Sequence, residues 1–151
     1  MSGIRLGDVP DIKHISDVAE ELLEGSFYSG IKPDEKKFKM TVASMMAYKT
    51  GYVQVVVDDN NVPQGFLLGM TEELFFSKEQ YVTDLAFYIR PEYRRFAPRM
   101  VKKLIKWAKT KPKVSSIMLA ITSGMGDAGR IGKMYEKLGF EYTGSYYVMR
   151  I

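Results

Sequence analysis

The chain has 151 residues with 22 Lys/Arg, 18 Asp/Glu, one histidine and no cysteine. That length suits a single domain, 1–151, burying roughly two thirds of its unfolded surface. It excludes any need for stapling, and the missing thiols and lone His14 exclude thiol catalysis, thiolate metal centres and multi-histidine metal sites. No apolar run approaches the ~20 residues of a membrane span and Met1–Pro10 is not a secretory signal, so a soluble, cytoplasmic protein without membrane contact is expected.

Ile4–Leu6 is a short apolar entry, and Asp8-Val9-Pro10-Asp11 is a turn able to cap a helix. Ile15, Val18, Ala19, Leu22 and Leu23 recur at helical spacing opposite Asp17, Glu20, Glu21 and Glu24, which predicts an amphipathic first helix. Gly25-Ser26 ends it. The aromatic loop Phe27-Tyr28-Ser29-Gly30 leads to Pro33-Asp34-Glu35 and a second helix reaching about Tyr48, with Phe38, Val42, Met45 and Met46 on one face. Tyr52–Val57 and Pro63–Met70 read as a hairpin across Asp58-Asp59-Asn60-Asn61.

Tyr81–Ile89 is the next strand, closed by Pro91. Arg90–Arg99 is a basic turn, and Pro98 can occupy the first turn of a helix in which Met100, Val101, Leu104, Ile105 and Ala108 face inward while Lys102, Lys103, Lys106 and Lys109 do not. Residues 1–80 carry 8 Lys/Arg against 13 Asp/Glu, and residues 81–151 carry 14 against 5, so the basic surface is local. A strand feeding a cationic helix start is a device for holding phosphate. Val114–Ile121 reads as a further strand, Asp127 as the cap of a short helix through Leu138, and Gly139 as its stop. Phe140–Thr143 and Tyr146–Ile151 read as a closing hairpin. The layout is α/β around a mixed sheet.

Two stretches carry a resemblance: Ile89-Arg90-Pro91-Glu92-Tyr93-Arg94-Arg95-Phe96-Ala97-Pro98-Arg99, and Met134-Tyr135-Glu136-Lys137-Leu138-Gly139-Phe140-Glu141. Together they resemble the GNAT superfamily of N-acetyltransferases, which move an acetyl group from acetyl-coenzyme A to an amine. The resemblance implies a mostly antiparallel central sheet of six to seven strands flanked by about four helices. It implies acetyl-coenzyme A as co-substrate, no metal, and an amine acceptor of unspecified identity, and it leaves a homodimer open. Tyr135 is then the candidate acid for the departing thiolate. Asp84 is the candidate base, with Glu72 and Glu73 behind it. The backbone of Phe87 and Ile89 would hold pantetheine and the acetyl carbonyl, and Arg94, Arg95, Phe96, Ala97, Pro98, Arg99 and Met100 the pyrophosphate. Phe27, Tyr28 and Tyr146 would line the acceptor entrance, with Met45, Met46 and Tyr147 near them.

The turn departs from the family pattern Arg/Gln-x-x-Gly-x-Gly/Ala. Ala97 stands at the first glycine and Arg99 at the second, with Pro98 between. A left-handed residue at 97 would cost on the order of 1 kcal/mol as Ala. Ala128 stands where many members place an Asn. These departures motivate a second reading, a GNAT-fold protein that binds without catalysis. A third, a nucleic-acid-binding domain using Arg94, Arg95, Arg99, Lys102, Lys103 and Lys106, has no accompanying motif, and nucleic acid is not the expected partner.

Overall fold

The computed structural model describes all 151 residues. In chain order they form β1 (Gly3–Leu6), a 3-10 turn at Val9–Asp11, α1 (Ile12–Glu24), α2 (Glu35–Ala47), β2 (Gly51–Val57), β3 (Pro63–Glu73), β4 (Gln80–Ile89), a 3-10 segment at Pro91–Phe96, α3 (Ala97–Ala108), β5 (Val114–Met118) and α4 (Ala128–Lys137). The sheet runs β1-β2-β3-β4-β5. Its first three pairings are antiparallel and β4–β5 is parallel. No helix is long and apolar enough to cross a membrane.

Strand alternation sorts the sheet residues onto two cores. Val53, Val55, Val57, Phe66, Leu68 and Tyr88 pack with Ile15, Val18 and Ala19 of α1 and Val42 and Met45 of α2. Met45 is therefore a core residue, and Met46 packs at the edge of that cluster. On the other face Tyr52, Val56, Leu67, Val82, Phe87 and Ile89 meet Met100, Val101, Leu104 and Ala108 of α3 and Tyr135 of α4. Gly69 permits this approach: a Cβ there would lie 3.2 Å from Leu104 Cδ1.

Polar clamps fix how the helices enter. Asp11 accepts from the Asp8 N–H and from Arg5 of β1, at 2.7 and 2.9 Å, which ties the start of α1 to the sheet edge. Arg90, just past β4, donates to Glu21 of α1 and to Gln64 of β3 at 2.9 and 2.8 Å. Asp34 and Asp127 cap α2 and α4 through the N–H groups of Lys37 and Arg130, as their positions in sequence indicated.

Two boundaries differ from expectation. β5 ends at Met118 rather than Ile121, because the Ala120 N–H turns away to the Asp84 carboxylate. The closing hairpin does not form: residues 139–151 contain no strand, so the sheet has five strands and not six or seven. Arg150 donates to the Phe27 carbonyl at 2.6 Å, which ties the chain end to the loop after α1.

The α3 contact predicts a stability effect. Leu104→Ala removes a fully buried side chain and should lower unfolding free energy by about 2 to 5 kcal/mol in urea titration with an unchanged m value. Lys102→Ala, on the exposed side of the same helix, should stay within about 0.5 kcal/mol.

Candidate active site

The site is built by one irregularity in β4. Its register against β3 passes from Leu68–Ala86 to Gly69–Asp84, so Leu85 has no opposite residue. This bulge resets the alternation. Val82 and Asp84 before it, and Phe87 and Ile89 after it, all face the α3–α4 side. The exposed Leu85 takes up the extra step. β5 pairs with β4 only along Gln80–Thr83, so from Asp84 onward the two strands part.

The edge that opens there is polar. The Arg90 N–H donates to the Gln64 carbonyl at 3.0 Å, which makes Gly65–Ile89 and Leu67–Phe87 non-hydrogen-bonded pairs. The N–H and C=O groups of Phe87 and Ile89 therefore point away from β3 into the gap. The Ile89 carbonyl accepts from Arg94 Nε at 3.0 Å; the Phe87 N–H and C=O and the Ile89 N–H have no partner.

Two titratable side chains meet at the mouth of this gap. Asp84 Oδ1 accepts from the Ala120 N–H at 3.2 Å, and Tyr135 Oη donates to the Ala120 carbonyl at 3.3 Å. Both groups therefore bracket one residue just past β5. Burial pushes the Asp84 carboxyl up to about 6, against the N–H groups of Ala120 and of Asp84 itself, which favour its charged form. Burial, and then the nearby Asp84 charge, raise the Tyr135 phenol above its ordinary value, so it stays protonated at neutral pH.

Tyr135 owes its position to the end of α4. Gly139 adopts φ +100; its N–H donates to the Glu136 carbonyl and that of Phe140 to the Tyr135 carbonyl, each at 3.0 Å. These are the two bonds of a Schellman cap, a motif that also brings the residue after glycine against the helix residue five before it. Here that contact is the Phe140 ring on the Tyr135 ring, 5.6 Å between centroids. The spacing Tyr-Glu-Lys-Leu-Gly-Phe is thus a helix stop that holds a phenol.

The basic turn is not the glycine-curled loop its cations suggested. Pro91–Phe96 runs directly into α3, Ala97 is helical at φ −54 and ψ −47, and its N–H donates to the Arg94 carbonyl. Ala97 is therefore unstrained, and Pro98 sits within the first two positions of α3, where a missing N–H is tolerated. The consequence is that amides which could face a phosphate are engaged in i→i+3 bonds. Phe96 and Met100 are core side chains. Arg94 is turned inward, 5.9 Å from the Tyr88 ring and against Gly126, where a Cβ would lie 3.0 Å from its Nη1. Arg95 lies over Phe96 and Tyr93 at 4.6 and 5.8 Å. Arg99 is exposed, and like the exposed Arg95 it is in no ion pair.

On the other side of the gap, the 122–126 loop seats on the end of α1. Gly124, at φ +88, leaves no room for a Cβ, which would lie 2.8 Å from the Leu22 carbonyl oxygen. Phe27 N–H donates to Ser123 Oγ at 2.8 Å, and the Phe27 and Tyr28 rings meet edge to face. Arg150 stacks on Phe27 at 3.9 Å. Tyr146 is exposed; it is Arg150, which the sequence reading did not name, that the structure brings to Phe27. Glu72 is engaged by the Tyr81 hydroxyl at 2.9 Å at the far end of β3, beside the exposed Glu73, so neither joins Asp84.

The domain is a small α/β fold in which β4 and β5 part beside a half-buried carboxylate and a phenol held by a helix cap. The sequence profile of the Acetyltransferase (GNAT) family matches residues 17–140, and the chain belongs to that family. No curated protein matches it in sequence. Among solved structures, a predicted acetyltransferase with acetyl-CoA from Clostridium acetobutylicum superposes with TM-score 0.73 at 19% identity, covering 99% of this chain and 96% of that one. Glucosamine-6-phosphate N-acetyltransferase from Arabidopsis thaliana gives 0.73 at 14%, covering 99% and 98%. AAC(6')-Iy in complex with the bisubstrate analog CoA-S-monomethyl-acetylneamine gives 0.73 at 15%, covering 100% and 98%. At such identities the likeness is one of fold.

The raised Asp84 carboxyl predicts a stability signature. The folded state holds this proton more tightly than the unfolded chain, so the contribution of Asp84 to stability falls as pH rises from about 4 toward 6. Asp84→Asn should therefore raise unfolding free energy above pH 6 by on the order of 2 kcal/mol, and the gain should vanish below pH 4. Thermal unfolding of both forms from pH 4 to 8 reads this directly.

Proposed function

We propose that this protein transfers an acetyl group from acetyl-coenzyme A to a primary amine, with Asp84 as base and Tyr135 as acid. The observation that carries the reading is the gap in the sheet, where the unpartnered Phe87 and Ile89 N–H groups lie beside Asp84 and Tyr135. Family membership supports it, since acetyltransferases are what the family is known for.

An amine of ordinary pKa is neutral at pH 7 about once in 10³ to 10⁴, a deficit of roughly 4 to 5 kcal/mol. At neutral pH the Asp84 carboxyl, which sits near 6, is ionised and serves as general base: it accepts a proton from the nitrogen of the neutral amine as the bond to the acetyl carbon forms and that nitrogen becomes acidic. The amine nitrogen bonds to the acetyl carbon as the carbon–sulfur bond breaks. The Phe87 and Ile89 N–H groups would donate to the carbonyl oxygen as it gains charge, in the manner of an oxyanion hole. Tyr135 gives its proton to the leaving sulfur, and the proton that Asp84 took from the nitrogen returns to the phenol, so both groups are restored. The exposed Arg99 and Arg95 would meet the phosphates, and Phe27, Tyr28 and Arg150 would stand at the acceptor side.

A second reading, a GNAT-fold protein that binds without turnover, draws on the engaged amides of the Pro91–Ala97 segment. Thiol release with a panel of primary amines separates the two. Turnover is expected, and binding of acetyl-coenzyme A by calorimetry without any thiol release would favour the second reading. In the active protein kcat/KM should rise with pH through about 6 as Asp84 ionises, and Asp84→Asn should remove that limb. Tyr135→Phe should lower kcat by roughly 10² to 10³ while leaving acetyl-coenzyme A affinity within about threefold.

A further inference from the structure

Beyond Thr83 no pairing between β4 and β5 sets the width of the gap. Arg94 lies between its two walls. The side chain leaves the Pro91–Phe96 segment and turns back along the chain, where its Nε donates to the Ile89 carbonyl at 3.0 Å. Its guanidinium lies against Gly126 of the opposite wall: a Cβ there would come within 3.0 Å of Nη1, 3.3 Å of Cζ and 3.8 Å of Nη2. Gly126 has φ +142, so glycine both suits that backbone and leaves the space the guanidinium fills.

The peptide between Ile89 and Arg90 is gripped at both ends. Its carbonyl accepts from Arg94, and its N–H donates to the Gln64 carbonyl of β3 at 3.0 Å. The N–H and C=O of one strand residue point to the same side, so a bond that fixes the Ile89 carbonyl also fixes the aim of the Ile89 N–H into the gap. The opposite wall is anchored separately. Gly124 seats on the end of α1, Ser123 accepts from Phe27, and Met125 joins the core that holds Phe87 and Ile89. Arg94 itself is in no ion pair, and Nε is its one nitrogen in a hydrogen bond.

A cation in a basic turn beside Arg95 and Arg99 has two uses open to it, contact with a phosphate or support of the strand. The orientation favours the second, because Nε, half of the side-on fork with which a guanidinium grips an anion, is engaged by the Ile89 carbonyl and the group is backed by Gly126. We propose that Arg94 is a positioning residue for acetyl transfer: it sets the spacing between β4 and the 122–126 loop and aims the Ile89 N–H at the carbonyl oxygen that gains charge. This rests on the acetyl-transfer reading of the same gap. Arg94 acts through Ile89 and not on the thioester, the amine or the phosphates.

The test compares acetyl-coenzyme A with S-acetylpantetheine, which carries the same thioester and arm and no phosphate. Arg94→Met should lower kcat by about tenfold or more with both thioesters while affinity for acetyl-coenzyme A, by calorimetry, stays within about threefold. Arg94→Lys keeps the charge but not the planar donor and should show the same loss. Gly126→Ala, which keeps Arg94 but takes its space, should show it too; thermal unfolding recorded alongside confirms that each variant is folded in the assay. A rise in KM confined to acetyl-coenzyme A, or full recovery in Arg94→Lys, would make Arg94 a phosphate contact and overturn the proposal, as would an unchanged kcat in Arg94→Met. If the unaltered protein binds acetyl-coenzyme A without turnover, the acetyl-transfer reading fails on its own account and the clamp is read from hydrogen exchange. The Arg90 amide should then exchange roughly tenfold faster in Arg94→Met, relative to the amides of β2, and an unchanged ratio would remove the clamp as well.

Discussion

The bulge at Leu85 is the constraint on which the site depends. Strict alternation would carry Asp84 and Ala86 to one face and Phe87 to the other. With one residue left over, Asp84, Phe87 and Ile89 share a face, and the strand bends away from β5 at the same point. The placing of a carboxylate beside two unpartnered backbone N–H groups, where β4 and β5 part, thus follows from a single residue of insertion. The surrounding packing maintains it: Val82 below and Phe87 above are both anchored in the core shared with α3.

Side-chain pattern made most of this architecture legible. The apolar stripes of α1 and α3, the Asp caps of α2 and α4, the β2–β3 turn and the Gly139 stop all express burial or local turn chemistry, which residue identity encodes directly. Asp84 and Tyr135 could be singled out, and the structure brings them to the same residue. What pattern could not express was the destination of main-chain groups. Ala97 looked like a misfit at a left-handed position, whereas the segment simply runs on as helix and its amides are used up. Ala120 looked like strand until the Asp84 carboxylate took its N–H. Tyr146–Ile151 has the composition of a strand but forms none, and its Arg150 is bonded to Phe27.

The charge asymmetry of the chain has a physical counterpart. The acidic surface of α1 lies across the sheet from the basic surface of α3, and Arg90 bonded to Glu21 joins the two at the end of β4. Arg94 is drawn inward, whereas Arg99, Lys102, Lys103 and Lys106 of α3 are exposed and in no ion pair. The helix thus keeps its positive charge at the surface while its apolar side closes the core beneath.

The cap that holds Tyr135 has a kinetic side. Its bonds and its ring contact join residues no more than five apart, so this half of the site is geometrically complete within one short stretch of chain. The half that carries Asp84 is not: its bulge exists only when β3 and β4 are zipped and β5 has crossed to lie parallel beside them, a pairing that waits on loop closure across more than thirty residues. A chain emerging in sequence order therefore has its carboxylate long before its phenol, yet the environment that makes the carboxylate basic forms only with the last non-local contacts. The two side chains are brought together late, with the pairing of β4 and β5.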